Sequence, residues 1–272
     1  MRADQRARRD AFLGKIGVHP VVMGVLNVTP DSFSDGGLFQ STDAALARAR
    51  QLTSAGADIV DIGAESTRPG ASPISEAQEL ARLEPVLRAL EGSEIAVSID
   101  TTKAKVAARA VALGAVLIND VWGLRDPAMA ETVAQSEAAL VIMHNRLEKD
   151  RDLDIVADIR RYFDRSLALS ARAGIPGQRI ILDPGIGFAK TARQNIAVVA
   201  RLGELKEYGR PILVGVSRKK FLGPTIGGGT EGELIGTIAA CLAAAAAGAS
   251  LFRVHDVAEH VAALKVFHAI HG

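Results

Sequence analysis

Leu113-Gly114-Ala115-Val116-Leu117-Ile118-Asn119-Asp120 holds, in one short stretch, the end of a helix, a turn, a strand and a polar strand top. Residues 103–113 have helical periodicity, and Gly114 stands where a left-handed helix cap belongs, because glycine reaches positive φ without a steric penalty. Residues 116–118 are uniformly apolar, as in a strand buried on both faces. At Asn119-Asp120 the chain turns polar. The same punctuation returns at Ala55-Gly56-Ala57, Ala173-Gly174-Ile175 and Ala247-Gly248-Ala249. Apolar, β-rich runs occupy 21–26, 59–62, 95–99, 116–118, 139–143, 180–182, 212–216 and 251–254. Helical patterns occupy 43–55, 75–90, 103–113, 155–173, 195–205 and 257–269. Such alternation predicts a parallel sheet covered by helices. Eight strands in a chain of 272 residues predict an α/β fold, a single-domain (β/α)8 TIM-type barrel rather than an open doubly wound sheet. Residues 21–272 are read as the barrel domain and residues 1–20 as an N-terminal extension.

Composition narrows the function. With 48% hydrophobic and 23% charged residues the chain can bury one large core. A formal net charge of +1 provides no whole-molecule field for nucleic acid or an anionic membrane, so neither is an expected partner and any anion must be held locally. Small charged molecules are the expected substrates. Cys241, the single cysteine, lies in the apolar run Ala239-Ala240-Cys241-Leu242-Ala243 and reads as a buried, inert thiol. Without a disulfide framework a reducing, cytoplasmic compartment is expected. Residues 1–10 are rich in arginine but include Asp4 and Asp10 and no serine, which argues against a transit peptide. The alanine-rich stretch 238–247 is too short to cross a bilayer and reads as a buried helix.

Barrel active sites lie at the C-terminal ends of the strands, so the residues after each apolar run matter most. They are Asn27, Asp61, Asp100, Asn119 with Asp120, His144, Asp183, Ser217-Arg218-Lys219 and His255-Asp256. Helix capping accounts for Asp256 and suits Asp120. It does not explain carboxylates and amides at nearly every strand top beside two basic clusters. Residues 29–41 and 64–75 form long, glycine-bearing connections, the kind that serve as binding loops. The glycine-rich stretch 225–230 is a weaker signal.

Asn27-Val28-Thr29-Pro30-Asp31-Ser32-Phe33-Ser34, Glu65-Ser66-Thr67-Arg68-Pro69-Gly70, Asp183-Pro184-Gly185, Ser217-Arg218-Lys219 and Arg253-Val254-His255 together resemble the dihydropteroate synthase family, in family order, from about residue 22 to about residue 263. The resemblance implies condensation of 6-hydroxymethyl-7,8-dihydropterin diphosphate with p-aminobenzoate, in folate biosynthesis and open to sulfonamide competition. It places Asp100, Asn119, Met143, Asp183 and Lys219 around the pterin. The diphosphate falls to Asn27, Thr67, Arg68, Arg253 and His255, and p-aminobenzoate to Thr67, Pro69, Phe188, Ser217 and Lys219. Asn27, Asp31, Arg68 and Lys219 are the implied catalytic residues. Asn27 is also the implied ligand of Mg²⁺, which keeps several waters and binds largely through substrate phosphates. A homodimer is implied as well. The chain departs from the family pattern at Gly63-Ala64, at Val121-Trp122-Gly123, at Ala189, and after Met143-His144, where Asn145-Arg146-Leu147-Glu148 follows. A methyltetrahydrofolate-binding methyltransferase would share the pterin carboxylates but would not need the basic clusters.

Overall fold

A computed structural model describes residues 1–29, 38–65, 72–223 and 230–271. Strands β1 (Val21–Asn27), β2 (Ile59–Gly63), β3 (Val97–Asp100), β4 (Leu117–Asp120), β5 (Ala139–Met143), β6 (Ile180–Asp183), β7 (Leu213–Val214) and β8 (Leu251–Val254) form one sheet in the order β6-β5-β4-β3-β2-β1-β8-β7. Every ladder is parallel. A bridge between Leu182 and Ile212, with the Leu182 N–H donating to the Pro211 carbonyl at 2.9 Å, joins β6 to β7 and closes the ring. The architecture is a (β/α)8 barrel.

Helix α1 (Ala3–Lys15) precedes the barrel, and α2 (Leu38–Ser54), α3 (Glu76–Ala89), α4 (Ala104–Ala112), α5 (Pro127–Ser136), α6 (Ile155–Arg172), α7 (Ala192–Ala200), α8 (Thr230–Ala246) and α9 (Val257–His271) each follow one strand. Helix α5 was not visible as a period. It is short, and the residues it buries are only Met129, Ala130 and Val133. Its start is nevertheless well marked, because the Asp126 carboxylate accepts from the Ala128 N–H at 3.0 Å and Pro127 opens the first turn. Strand β7 is shorter than its apolar run: only Leu213 and Val214 pair with β8, and Ile212 turns to β6.

Two apolar layers hold the fold. One fills the space between strands and helices, and the other, including Phe12, Met23, Ile59, Leu117, Val141, Ile181 and Leu251, fills the lower barrel interior. Phe12 brings α1 under the strand N-termini, and burial of such a ring contributes about 1.5–3 kcal/mol. Gln5, also buried, donates to the carbonyls of Val111 and Ala115 at 2.7 and 3.2 Å, fixing α1 against the end of α4. No described helix is long and apolar enough to cross a membrane.

Candidate functional site

Side chains alternate across a strand, so interior positions recur every second residue. Ile59, Leu117, Ile181 and Leu251 belong to the apolar lower layer. Two residues further along the same strands stand Asp61, Asn119, Asp183 and Arg253, and Asp100 stands two beyond Ser98. Strand register thus converts an apolar floor into a polar one at the barrel mouth.

Asp61 is fully buried and accepts from Ser98 Oγ at 2.5 Å, Asn119 Nδ2 at 3.1 Å and Arg253 Nε at 2.6 Å. Arg253 Nη2 donates to Asp100 Oδ2 at 2.9 Å. These bonds leave Asp100 Oδ1 and Asn119 Oδ1 buried with no hydrogen-bond partner among the described residues. A buried acceptor without a donor costs about 1–3 kcal/mol, and two in one pocket mark a place where a ligand can supply donors. Burial raises Asp100 to about 7, against the pull of Arg253. Burial also raises Asp183, with Lys219 acting in opposition, and Asp183 Oδ1 accepts from the Gly185 N–H at 2.7 Å. Met143 is buried at the end of β5, in register with Asp183.

The opposite wall is built by the turn after β6. Lys219 Nζ donates to the Ile186 carbonyl and stands 4.6 Å from the centre of the Phe188 ring. Burial lowers Lys219 to about 8, with Asp183 working the other way. Ser217 and His255 are joined: Ser217 Oγ lies 3.0 Å from His255 Nδ1 and accepts from the His255 backbone N–H at 3.2 Å. Arg218 pairs with Asp256 through contacts of 2.5 and 3.2 Å.

Asn27 ends β1 with an exposed side chain. Its register partner is Gly63, where an added Cβ would lie 3.7 Å from Asn27 Oδ1 and 3.5 Å from Asp100 Cβ, so Asn27 and Asp100 approach one another across a glycine. Among the described residues no group of three or more His, Cys, Asp or Glu is arranged to cage a metal. A single neutral oxygen at the rim fits a hard cation that keeps water and phosphate oxygens as its remaining ligands. Asp31, Thr67, Arg68 and Pro69, like the glycine-rich stretch after Pro224, lie outside the described residues. Of the other residues singled out from the sequence, Asp100, Asn119 and Arg253 join one network around Asp61, while Lys219 with Phe188 and Ser217 with His255 form two more pairs. Asp61 was visible as a strand-top carboxylate without an assigned role. Lys190 gave no signal at all.

The fold and this site define a pterin-handling barrel: the pterin binding enzyme family matches residues 23–255, and the chain belongs to that family. It is 41% identical over 258 residues to the dihydropteroate synthase of Escherichia coli (strain K12), with 92% of each chain covered. Dihydropteroate synthase from Clostridium difficile, solved in the presence of pteroic acid, is similar at a TM-score of 0.91 and 43% identity, over 94% of this chain and 98% of that one. The Xanthomonas albilineans dihydropteroate synthase with 4-aminobenzoic acid is similar at a TM-score of 0.88 and 43% identity, over 93% of each chain.

Proposed function

We propose that this chain condenses 6-hydroxymethyl-7,8-dihydropterin diphosphate with p-aminobenzoate to give 7,8-dihydropteroate and pyrophosphate, the dihydropteroate synthase reaction. The observation that carries the reading is the pair of unsatisfied buried acceptors, Asp100 Oδ1 and Asn119 Oδ1, at a barrel mouth that also holds Asp183, Lys219 and Arg253. A pterin presents an amino group and ring N–H donors on one edge and ring acceptors beside them. Asp100, Asn119 and Asp183 are the acceptors for the first set, Lys219 is a donor for the second, and Met143 packs against the ring. Such a site rejects analogues that lack a matching donor, because the protein's own polar groups would be left unpaired.

Arg253 links this pocket to the diphosphate. Two of its five N–H donors are engaged by Asp61 and Asp100, leaving others for a phosphate oxygen. His255, steadied by Ser217, with Thr67 and Arg68, completes the anion site. Asn27 would hold Mg²⁺ together with the diphosphate, and the cation would supply charge for the leaving group. The p-aminobenzoate ring lies against Phe188 and Pro69, its carboxylate near Ser217, Thr67 and Lys219. Its amine is a neutral aromatic amine with a free lone pair, so attack on the methylene carbon needs no strong general base. The protein's contribution is to neutralise charge on the departing pyrophosphate, exclude water and align the amine. Asp31 belongs to the same machinery through the first loop. The chain works in the cytoplasm as a homodimer, for which exposed Ile235 on α8 and Val266 and Ile270 on α9 offer apolar surface.

Incubation with the dihydropterin diphosphate, p-aminobenzoate and Mg²⁺, followed by chromatography, should give dihydropteroate and pyrophosphate in equal amounts. Pyrophosphate release without pterin–arene coupling would overturn the reading.

A further inference from the structure

The turn between β6 and α7 carries Phe188, yet its own conformation is unusual. Gly185, Gly187 and Ala189 all have positive φ, at 66°, 86° and 42°. An added Cβ on Gly185 would meet the His144 carbonyl oxygen at 1.9 Å, and one on Gly187 would meet Lys219 Cδ at 2.5 Å. The turn is therefore pressed against β5 on one side and the Lys219 stem on the other. Beneath it lies Lys190, only 3% exposed. Its ammonium donates to the carbonyls of Gly185 at 2.7 Å and Phe188 at 3.2 Å, and its third contact is His144 Nδ1 at 2.8 Å. His144, itself fully buried, reaches Asp158 Oδ2 through Nε2 at 3.1 Å. Asp158 is held further by Arg146 at 2.6 Å and Arg161 at 3.0 Å.

All three Lys190 donors are thus used, two of them on the carbonyls at either end of the turn that presents Phe188. Burial leaves His144 neutral, lowering it to about 4, so the ring carries its proton on Nε2 toward Asp158 and offers Nδ1 to the lysine. Burial lowers Lys190 to about 7, with Asp183 working the other way, and burying the amine is offset by its hydrogen bonds to the two backbone carbonyls. What it fixes here is the set of groups facing Lys219, namely the Ile186 carbonyl and the Phe188 ring.

We infer that Lys190 is a positioning residue for the second substrate: by clamping the carbonyls of Gly185 and Phe188 it preforms the Phe188 wall against which p-aminobenzoate packs. The inference rests on the site reading above in that it takes Phe188 as that wall. Lys190 touches neither substrate. Its removal frees the turn to sample other conformations, so that p-aminobenzoate must order it on binding, and affinity falls by the cost of that ordering.

The test is a double-mutant cycle in steady-state kinetics. Lys190→Met removes the ammonium at nearly constant volume, and Phe188→Leu removes the aromatic wall. Lys190→Met should raise KM for p-aminobenzoate by about tenfold, with KM for the pterin diphosphate changed less than about twofold. The same substitution placed in Phe188→Leu should add little, because the wall it positions is already gone. Lys190→Gln, which keeps a donor for the carbonyls, should fall between wild type and Lys190→Met, and it stands in for Lys190→Met if that protein does not fold. A raised KM in Phe188→Leu with an unchanged KM in the Lys190 variants overturns this inference alone. An equal rise in both substrates' KM, or full additivity of the two substitutions, also overturns it. An unchanged KM in Phe188→Leu overturns the reading of the wall, and the inference with it.

Discussion

The two sides of the barrel mouth are built on different physics. On the β2, β3, β4 and β8 side the functional atoms are strand side chains in one ionic network, with Asp61 receiving three donors and Arg253 spanning two carboxylates. On the β5, β6 and β7 side Met143 and Asp183 still end strands, but the Phe188 wall sits on a turn whose backbone is held by Lys190 and braced by glycines. A strand fixes a side chain through the ladder of its neighbours, so the first side is held by the sheet itself. A turn with three positive φ values has no such ladder and depends on a few contacts beneath it. Polar recognition of a fixed heterocycle suits the first, and an apolar wall for a second substrate can tolerate the other. The contrast makes distinct demands on stability, pH response and local strain.

The largest effect is expected on the strand side. Asp61→Asn keeps the shape but places an N–H₂ among Ser98, Asn119 and Arg253, all of which donate to this position. Breaking one arm of a buried ion pair typically costs about 3–5 kcal/mol, and retention of Asp100 by Arg253 puts this case near about 3 kcal/mol. Chemical denaturation would measure it. A loss below about 1 kcal/mol would mean that the network behaves like a surface pair, and that the two sides do not differ as argued.

The turn side should reveal itself through acid. His144 is lowered from 6.5 to about 4, chiefly by burial, with the Asp158 hydrogen bond acting against it. Between those values the unfolded chain binds a proton that the native protein does not. The stability from neutral His144 is therefore fully present above pH 6.5 and is lost as the pH falls toward 4, by about 2 kcal/mol between pH 7 and pH 5. Asp100 and Asp120, raised by burial to about 7 and about 6, have the opposite sign, because the native state holds the extra protons in the same range, so acidification favours folding at those sites. The histidine must be separated from them by substitution. His144→Gln, which does not titrate, should lose less stability than wild type on going from pH 7 to pH 5. Parallel pH profiles for the two proteins would show that the lysine–histidine pair is not the acid-sensitive part of the mouth.

The same contrast explains what could be read from the chain. Asp61, Asp100, Asn119 and Asp183 stand at or near strand ends, and alternation turns that position into an interior one; Arg253, inside the run 251–254, needed the family resemblance. Ser217 and His255 also stood at strand ends, although their pairing did not show; the Phe188 wall needed the family resemblance, since no period places a loop residue. Lys190 was invisible for a physical reason: two of its partners are main-chain carbonyls, which leave no trace in residue identity, and a lysine just before a helix cap reads as a solvated charge. Helix α5 was hidden because its buried stripe is only three residues, Met129, Ala130 and Val133. Asp31, Thr67, Arg68 and Pro69 rest on motif order alone.

The smallest effect concerns the one side chain in the strained turn that is not a glycine at positive φ. Ala189 adopts φ 42°, a left-handed conformation that costs an L-residue about 1–2 kcal/mol. Ala189→Gly removes that cost. It also gives the unfolded chain more conformations to lose, which takes back about 0.4–1 kcal/mol. The balance is a gain of up to about 1 kcal/mol, a rise in Tm of roughly 2–4 °C for a chain of this size. Lys190 holds the carbonyls on either side of the Gly187 position whichever residue follows them, so relief of strain at 189 should leave KM for p-aminobenzoate unchanged. A glycine variant that gains stability and keeps its KM would place the ordering of the turn in the Lys190 clamp. One that gains stability but loses affinity would place it in Ala189, whose restricted backbone would then be what keeps the wall in position, and the turn side of the mouth would be held by covalent stiffness rather than by a buried charge.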